Sequence, residues 1–419
     1  MCGRVLMLVV ALMLTGLAVP AAIAETEIDL GGELRFRAEV DRRAFDKHAD
    51  VAGYFDLRSR LSVDALVDSN ARAFLQFQDS RRLGMQNSDG SYVSGTLSGG
   101  SNVDVHQAYI EILEYGDNGI GLKAGRFEIA LGNQRVFGTV GWSNTGRSWE
   151  GIRLNWQGRQ FDVRAYGLIR RELNREFENR DFVVIGLASA QPQLGSELFA
   201  FLEENRDRPA GAGIPKVDSL KRASVGGYIK QDIGPFTVES NLVYQFGSQL
   251  VYDGSFFEQD ISAFLVTAEL STVIDKRHNI ALAAGVDYAS GDDDPADGTY
   301  NAYNNLYYTG HKFRGHMDYF LSSQPEGLVD LVFRFNGEFI QGWKVGAHLH
   351  HFIAASDYVG QNGELTNKIG SELDVFGSTR KVKGAYVSLG GSAFLPSEEF
   401  AGEGAEVGLW GYWLVTVTF

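Results

Sequence analysis

The stretch Glu27-Ile28-Asp29-Leu30-Gly31-Gly32-Glu33-Leu34-Arg35-Phe36-Arg37-Ala38-Glu39-Val40 alternates without a break. Ile28, Leu30, Leu34, Phe36, Ala38 and Val40 share one face of an extended chain. Glu27, Asp29, Glu33, Arg35, Arg37 and Glu39 share the other. Side chains of a strand point to opposite faces in turn, so this period reads as a half-buried strand. It is long for a globular protein, where strands usually stop near ~5–6 residues. A strand of this length with charges on its second face fits a tilted crossing of a bilayer around a wet interior.

The pattern recurs. Phe55, Leu57, Leu61, Val63 and Ala65 oppose Asp56, Arg58, Arg60, Ser62 and Asp64. Phe161, Val163, Ala165 and Ile169 oppose Gln160, Asp162, Arg164, Tyr166 and Arg170. Val329, Leu331, Phe333 and Phe335 oppose Asp330 and Arg334, and Val345, Ala347, Leu349 and Ile353 oppose Lys344, His348 and His350. Connections alternate too. Tight turns at Asp68-Ser69-Asn70, Glu114 to Asn118, Gln157-Gly158-Arg159, Ile233-Gly234-Pro235 and Asp275 to His278 are rich in turn formers. Between them lie longer segments, 41–52, 83–102, 129–147, 248–259, 291–326, 355–369 and 396–407. Short turns on one side and long loops on the other are the outer-membrane layout. The strand count is sixteen, or eighteen if 172–221 holds a further pair near 181–189 and 196–204. The apolar, β-branched run from Phe182 to Leu187 favours eighteen. The expected fold is therefore all-β: a single transmembrane antiparallel β-barrel of about 18 strands, with 16 as the alternative.

Composition agrees. The chain has 50 Gly, 8 Pro, 27 Phe, 17 Tyr and one Cys in 419 residues. Glycine is well above its usual ~7% without the Pro excess of collagen or linkers, and one Cys builds no disulfide framework. The formal net charge of −15 lacks the basic footprint of a nucleic-acid binder, so nucleic acid is excluded as a partner. Residues 1–24 read as a secretory signal peptide, with Arg4, an apolar run from Val5 to about Leu17 and an Ala22-Ile23-Ala24 end. Residues 25–419 are then the barrel. Trp413, Val415, Val417 and Phe419 alternate up to a terminal aromatic residue, the kind of end read by the barrel-assembly machinery.

Two blocks carry a family resemblance. Gly125-Arg126-Phe127-Glu128-Ile129-Ala130-Leu131-Gly132-Asn133-Gln134-Arg135-Val136-Phe137-Gly138 is followed by Trp142-Ser143-Asn144-Thr145-Gly146-Arg147-Ser148-Trp149-Glu150-Gly151. Thr309-Gly310-His311-Lys312-Phe313-Arg314-Gly315-His316-Met317-Asp318 is followed by Gly327-Leu328-Val329-Asp330-Leu331 and, further on, His350-His351-Phe352. These resemble the bacterial alginate export family of outer-membrane proteins. The resemblance implies a monomeric eighteen-stranded barrel that passes a polyanionic uronate polysaccharide. Fold carries across such a family better than cargo.

The inward face supplies the candidate pore residues. Arg35, Arg37, Arg58 and Arg60 sit at mid-strand with acids nearer the ends, and Arg153, Arg164, Arg334 and Lys344 share the inward parity. A basic belt in a low-dielectric wall would stabilise an anion. Pairing of the same arginines with Asp and Glu across strands would instead hold the barrel's shape; a pore can use both. Arg126 and Glu128 turn inward if a bulge interrupts the strand near Gly125. Arg147 shares the parity of Arg153, and the resemblance places Arg135 and Lys312 in loop regions near the pore. The expected partners are an anionic polysaccharide or smaller anionic solutes, with outer-membrane lipids around the wall.

Other chemistries lack support. Asp292, Asp293, Asp294 and Asp297 match a calcium loop poorly, because Pro295 and Ala296 interrupt the ligand pattern. His350 and His351 point to opposite faces, so no metal is expected, nor any cofactor. No Gly-x-Ser-x-Gly elbow occurs, and the expectation is a channel rather than an enzyme. The alternatives are a general porin for small solutes, and behind it a barrel-embedded hydrolase or a structural barrel.

Overall fold

The computed structural model describes residues 25–86, 92–96, 103–116, 118–171, 182–205, 220–253, 255–294, 296–340 and 342–419. The expected leader, 1–24, lies outside the described residues. Eighteen strands form the wall: β1 (Thr26–Arg42), β2 (Ala52–Val67), β3 (Ala71–Gln86), β4 (Asp104–Ile112), β5 (Ile120–Phe127), β6 (Trp149–Gln157), β7 (Asp162–Arg171), β8 (Phe182–Gln191), β9 (Ser196–Asn205), β10 (Leu220–Ile233), β11 (Phe236–Asp253), β12 (Ser255–Asp275), β13 (Ile280–Ala289), β14 (Leu328–Ile340), β15 (Trp343–Val359), β16 (Leu365–Thr379), β17 (Ala385–Pro396) and β18 (Gly408–Thr418). Each pairs antiparallel with its neighbours, and β1 pairs with β18, which closes the sheet. A short segment, Tyr92–Thr96, adds to the end of β3, and Thr299–Tyr300 lies parallel to Asp260 and Ile261.

The second pair expected within 172–221 is present as β8 and β9, so the count is eighteen. Segment 248–259 is not a loop: β11 runs on to Asp253 and β12 starts at Ser255, with Gln249 paired to Gln259. The period-two pattern fades there, but the hydrogen-bond ladder continues.

Closure abolishes sheet edges, which is what a hydrocarbon solvent demands of a backbone. The outward face is apolar and bare: Leu30 is 77% exposed, Leu198 68% and Ile110 62%. At the seam, Gly32 and Phe419 exchange backbone hydrogen bonds of 2.7 and 3.0 Å. The Phe419 ring lies over Gly32, where a Cβ would stand 2.4 Å from Cζ. A glycine inside a strand here makes room for a cross-strand ring.

Two long connections, 128–148 and 290–327, fold into the barrel. Phe137 of the first bridges to Tyr307 of the second. Ile129, Leu131, Val136 and Phe137 pack with Tyr303 and Tyr307 against inward Tyr166, Leu168, Phe199 and Phe201. Met317 and Phe320 pack on Phe352, Phe394 and Trp410 of the opposite wall. The barrel interior is thus partly filled by apolar side chains, and the remaining space lies in separate cavities.

Candidate functional site

The wall of β1–β3 holds the first inward loop through arginines. Arg35 donates from Nη1 to the Gly141 carbonyl (2.8 Å), and from Nη2 to the Ser143 carbonyl (2.9 Å) and Asn144 Oδ1 (3.0 Å). Arg58 reaches the same two carbonyls at 3.2 and 3.0 Å and pairs with Glu33 at 2.7 Å. Arg37 donates to the Trp142 carbonyl (2.6 Å), to Glu39 (2.7 Å) and to Asp56 (3.0 Å). Arg35, Arg37 and Arg58 are each 4% exposed. Arginine suits this work because its planar fork offers several fixed donors at once.

Arg60 donates to Gln78 (2.7 Å) and meets His106 at 2.9 Å, while Glu128 lies 2.8 Å from the same imidazole. Glu128 therefore faces the lumen. It does so because β5 ends at Phe127 and the chain leaves the ladder there. The register slip lies on the neighbouring strand: β3–β4 slips between Gln76 and Phe77, and the extra residue, His106, turns inward. Register through Gly125 is unbroken, so the expected inward turn of Arg126 is corrected. Arg126 shares its face with Ile120 and Leu122, looks away from the lumen and pairs with exposed Glu150 at 3.2 Å.

The remaining candidates are distributed around the interior. Arg153 pairs with Glu111 (2.7 Å), Arg334 with Glu269 (3.0 Å), and Arg164 with Glu197. Arg147 donates to the carbonyls of Tyr307 and Tyr308, tying the two loops together. Arg135 is buried against Asp287, its guanidinium 3.6 Å over the Phe313 ring. Exposed Lys312 donates to the Asn133 carbonyl at 3.1 Å, and partial desolvation by the surrounding loop, with Arg135 nearby, holds its ammonium below the usual lysine value. Lys344 is exposed at the short-turn end of β15. Most of the expected belt is therefore charge-paired across strands, which removes much of its free positive field.

The second loop is held by carboxylates. The buried side chain of Glu372 accepts from the Met317 backbone N–H (2.8 Å), and Asp374 from that of His316 (3.3 Å). Gly315 has φ +76° and sits so close to Glu372 that a Cβ would lie 2.5 Å from Oε1. His350, inward as expected, is 2.8 Å from buried Asp330, a cross-strand partner that the reading of the histidines lacks. His351 faces out, beside Ser371. Among the described residues no group of side chains has the arrangement of a metal site. Asp292 bends back, its backbone N–H bonded to the Pro325 carbonyl.

Between the loops a stack of planar groups crosses the lumen. The Arg37 guanidinium lies 4.3 Å from the Trp142 ring centre. Trp142 stacks on His311 at 4.1 Å and 6°, and His311 on His316 at 4.9 Å. Trp142 and His311 border two cavities at once. The outer one, of about 490 Å³, has Glu39, Arg43, Tyr54, Asp56 and Arg82 in its wall. The inner one, of about 500 Å³, has Glu33, Arg35, Arg58, Arg380, Tyr386 and Tyr412. The stack is thus a partition. Trp142 and His311 stand inside the two motif blocks, but their meeting depends on loops folding inward from opposite walls.

The family model for alginate export matches residues 26–407. The chain belongs to that family. It is an outer-membrane β-barrel, and the short turns mark its periplasmic end. No curated protein matches it in sequence. Among solved structures, the barrel is similar to Pseudomonas aeruginosa OccK2 (OpdF) in complex with glucuronate, at TM-score 0.59 and 13% identity over 94% of this chain and 98% of that one. It is also similar to Acinetobacter baumannii OccAB4, at TM-score 0.58 and 12% identity over 93% and 98%. Pseudomonas aeruginosa OpdK with vanillate gives 0.57 and 12% over 93% and 98%. At such identities the likeness to these structures is one of fold.

Proposed function

We propose that the protein is a passive, non-enzymatic channel for anionic solutes, carboxylate-bearing saccharides of the uronate class foremost. The observation that carries this reading is the inner cavity, where Arg35, Arg58 and Arg380 stand against one carboxylate, Glu33, beside Tyr386, Tyr412 and Trp142. Guanidinium groups in a low-dielectric wall favour an anion, and aromatic rings offer apolar faces to a sugar ring. Family membership supports a uronate cargo, and the similar fold that binds glucuronate supports a single uronate unit as a ligand. Each cavity lies within the ~300–1,000 Å³ typical of small-molecule sites. With the partition as placed, solutes of one or a few sugar units fit, and a polymer requires the loops to move.

Purified protein in a planar bilayer under a salt gradient tests this. A reversal potential of anion-selective sign, with current block by glucuronate, is expected. Absence of conductance, or cation preference, would defeat the reading.

A further inference from the structure

Turn 380–384, between β16 and β17, carries Arg380, Lys381 and Lys383 in four residues. Lys344 stands beside them on β15, in register with Ser378. Lys344, Arg380 and Lys381 border a cavity of about 520 Å³ with Ser378 and Tyr386. Arg380 lies 5.0 Å over the Tyr386 ring. One acid borders the same space, Glu338, whose carboxylate accepts from the Gly342 backbone N–H at 3.1 Å. Among the described residues no carboxylate forms an ion pair with any of these four cations. This contrasts with Arg153, Arg164, Arg222 and Arg334, each of which has its acid. Ser378, Arg380 and Tyr386 also border the inner cavity, so the two spaces adjoin at these side chains.

Four cations gathered around a single carboxylate, Glu338, that pairs with none of them repel one another, an arrangement that an arriving polyanion relieves. The chain as a whole carries −15 and repels anions. Elsewhere the periplasmic rim mixes signs, with Asp68, Glu114, Asp232 and Asp275 among Arg159, Lys276 and Arg277, whereas turn 380–384 carries no acid of its own. Such a sector steers an anion to one side of a mouth and raises its rate of entry.

We infer that Lys344, Arg380, Lys381 and Lys383 form a periplasmic docking site for a chain bearing several carboxylates, which it delivers along Tyr386 into the inner cavity. This inference rests on the channel reading above. Several fixed cations engage successive carboxylates of one chain, and the second contact is then intramolecular, so an oligouronate gains over a monomer. The site accelerates entry from its own face and leaves equilibrium across the membrane unchanged.

Current block by a mannuronate trimer and by the monomer, each added to one face of oriented single channels, tests this. At about 0.1 M salt the trimer should block from the short-turn face with an on-rate about ten-fold above that from the loop face, and the preference should vanish at about 1 M. The triple variant Arg380→Gln, Lys381→Gln, Lys383→Gln should abolish the asymmetry, whereas Arg159→Gln, on a turn across the barrel, should preserve it. Unaltered heat-modifiable electrophoretic migration shows that the variants are folded barrels. Anion selectivity without sidedness, or sidedness that survives the triple variant, would overturn the docking site while leaving the channel reading intact. Loss of anion selectivity in the unaltered protein would instead remove that reading.

Discussion

Replacing Arg35 by methionine should release loop 128–148 from the wall part of the time. The side chain makes three hydrogen bonds to the loop, at 2.8, 2.9 and 3.0 Å. Arg58 donates to two of the same acceptors, the Gly141 and Ser143 carbonyls, so those stay satisfied. Asn144 Oδ1 loses its donor, although its Nδ2 still reaches the Leu57 carbonyl at 2.9 Å. A hydrogen bond to a charged group contributes ~1.5–3 kcal/mol net. Burial of Arg35 beside Arg37 and Arg58 offsets part of that. The net loss is then about 2 kcal/mol, or about thirty-fold in the population of a displaced loop. Single-channel records read that population as occupancy of a larger-conductance state. Arg35→Lys separates the two roles, because a point charge keeps the field but cannot reproduce the fork. It should match the methionine variant in loop release while retaining anion preference. If both variants left the substates unchanged, the arginine would not be an anchor, and the inward loop would be held by its apolar packing alone.

Trp142→Ala removes the shared boundary of the two cavities and about 1 kcal/mol of cation–π contact with Arg37; unitary conductance and the size limit for neutral sugars should both rise. Arg126→Ala should leave the reversal potential unaltered and change the unfolding free energy in urea by no more than ~0.5 kcal/mol, since the Glu150 pair is exposed on the outer face. Phe419→Ala strips the ring from Gly32 at the seam and should lower stability to urea by about 1 kcal/mol. Burial pushes the His316 imidazole down from 6.5 to about 4, against the opposing pull of Asp374 and with like-charge effects from His311 and His350. The neutral form is thus the one the seated loop holds; its stability is complete above pH 6.5 and is lost as pH falls toward 4, by about 2 kcal/mol at pH 5. Channel noise that rises between pH 7 and 5, and does so no longer in His316→Gln, checks this.

The wall was legible in the residues because its solvent imposes a simple rule. Outward positions facing hydrocarbon are mostly apolar, so period two runs through Ile28 to Val40 and, with only Ser59 out of step, through Phe55 to Ala65. Where long extra-membrane ladders continue, as from Gln249 to Asp253, neither face meets hydrocarbon and the pattern dissolves. The inward face obeys no such rule, and there the reading is weaker. Parity places Arg35, Arg37, Arg58, Arg153, Arg164 and Arg334 correctly, but their partners are set by register. The pairing of Arg153 with Glu111 spans two strands that are not consecutive in the wall, through Lys123 between them. Arg126 shows the limit from the other side. Its inward turn requires a bulge near Gly125, whereas the bulge lies at His106, a residue with nothing distinctive around it in sequence. The partition formed by Trp142 and His311 is tertiary altogether.

The way the wall arginines are used constrains how the lumen can act on an anion. Arg37 commits Nε, Nη1 and Nη2 to Glu39, Trp142 and Asp56, and Arg58 commits its own to Glu33, Gly141 and Ser143. Few donors remain for a passing carboxylate and the paired acids cancel much of their charge, so these residues are scaffold first. Arg35, with no ion pair among the described residues, supplies most of the field that acts on a solute. A field, unlike a contact, acts on any anion of the right size and is weakened by salt. Selection among anions then falls to groups that have no ion pair among the described residues: Arg380 over Tyr386, and Lys344 beside it, at the periplasmic end of the same path. If the channel carries anions, its broad charge preference belongs to the β1–β2 wall and its discrimination to the β15–β17 sector. Neutralising one should leave the other standing.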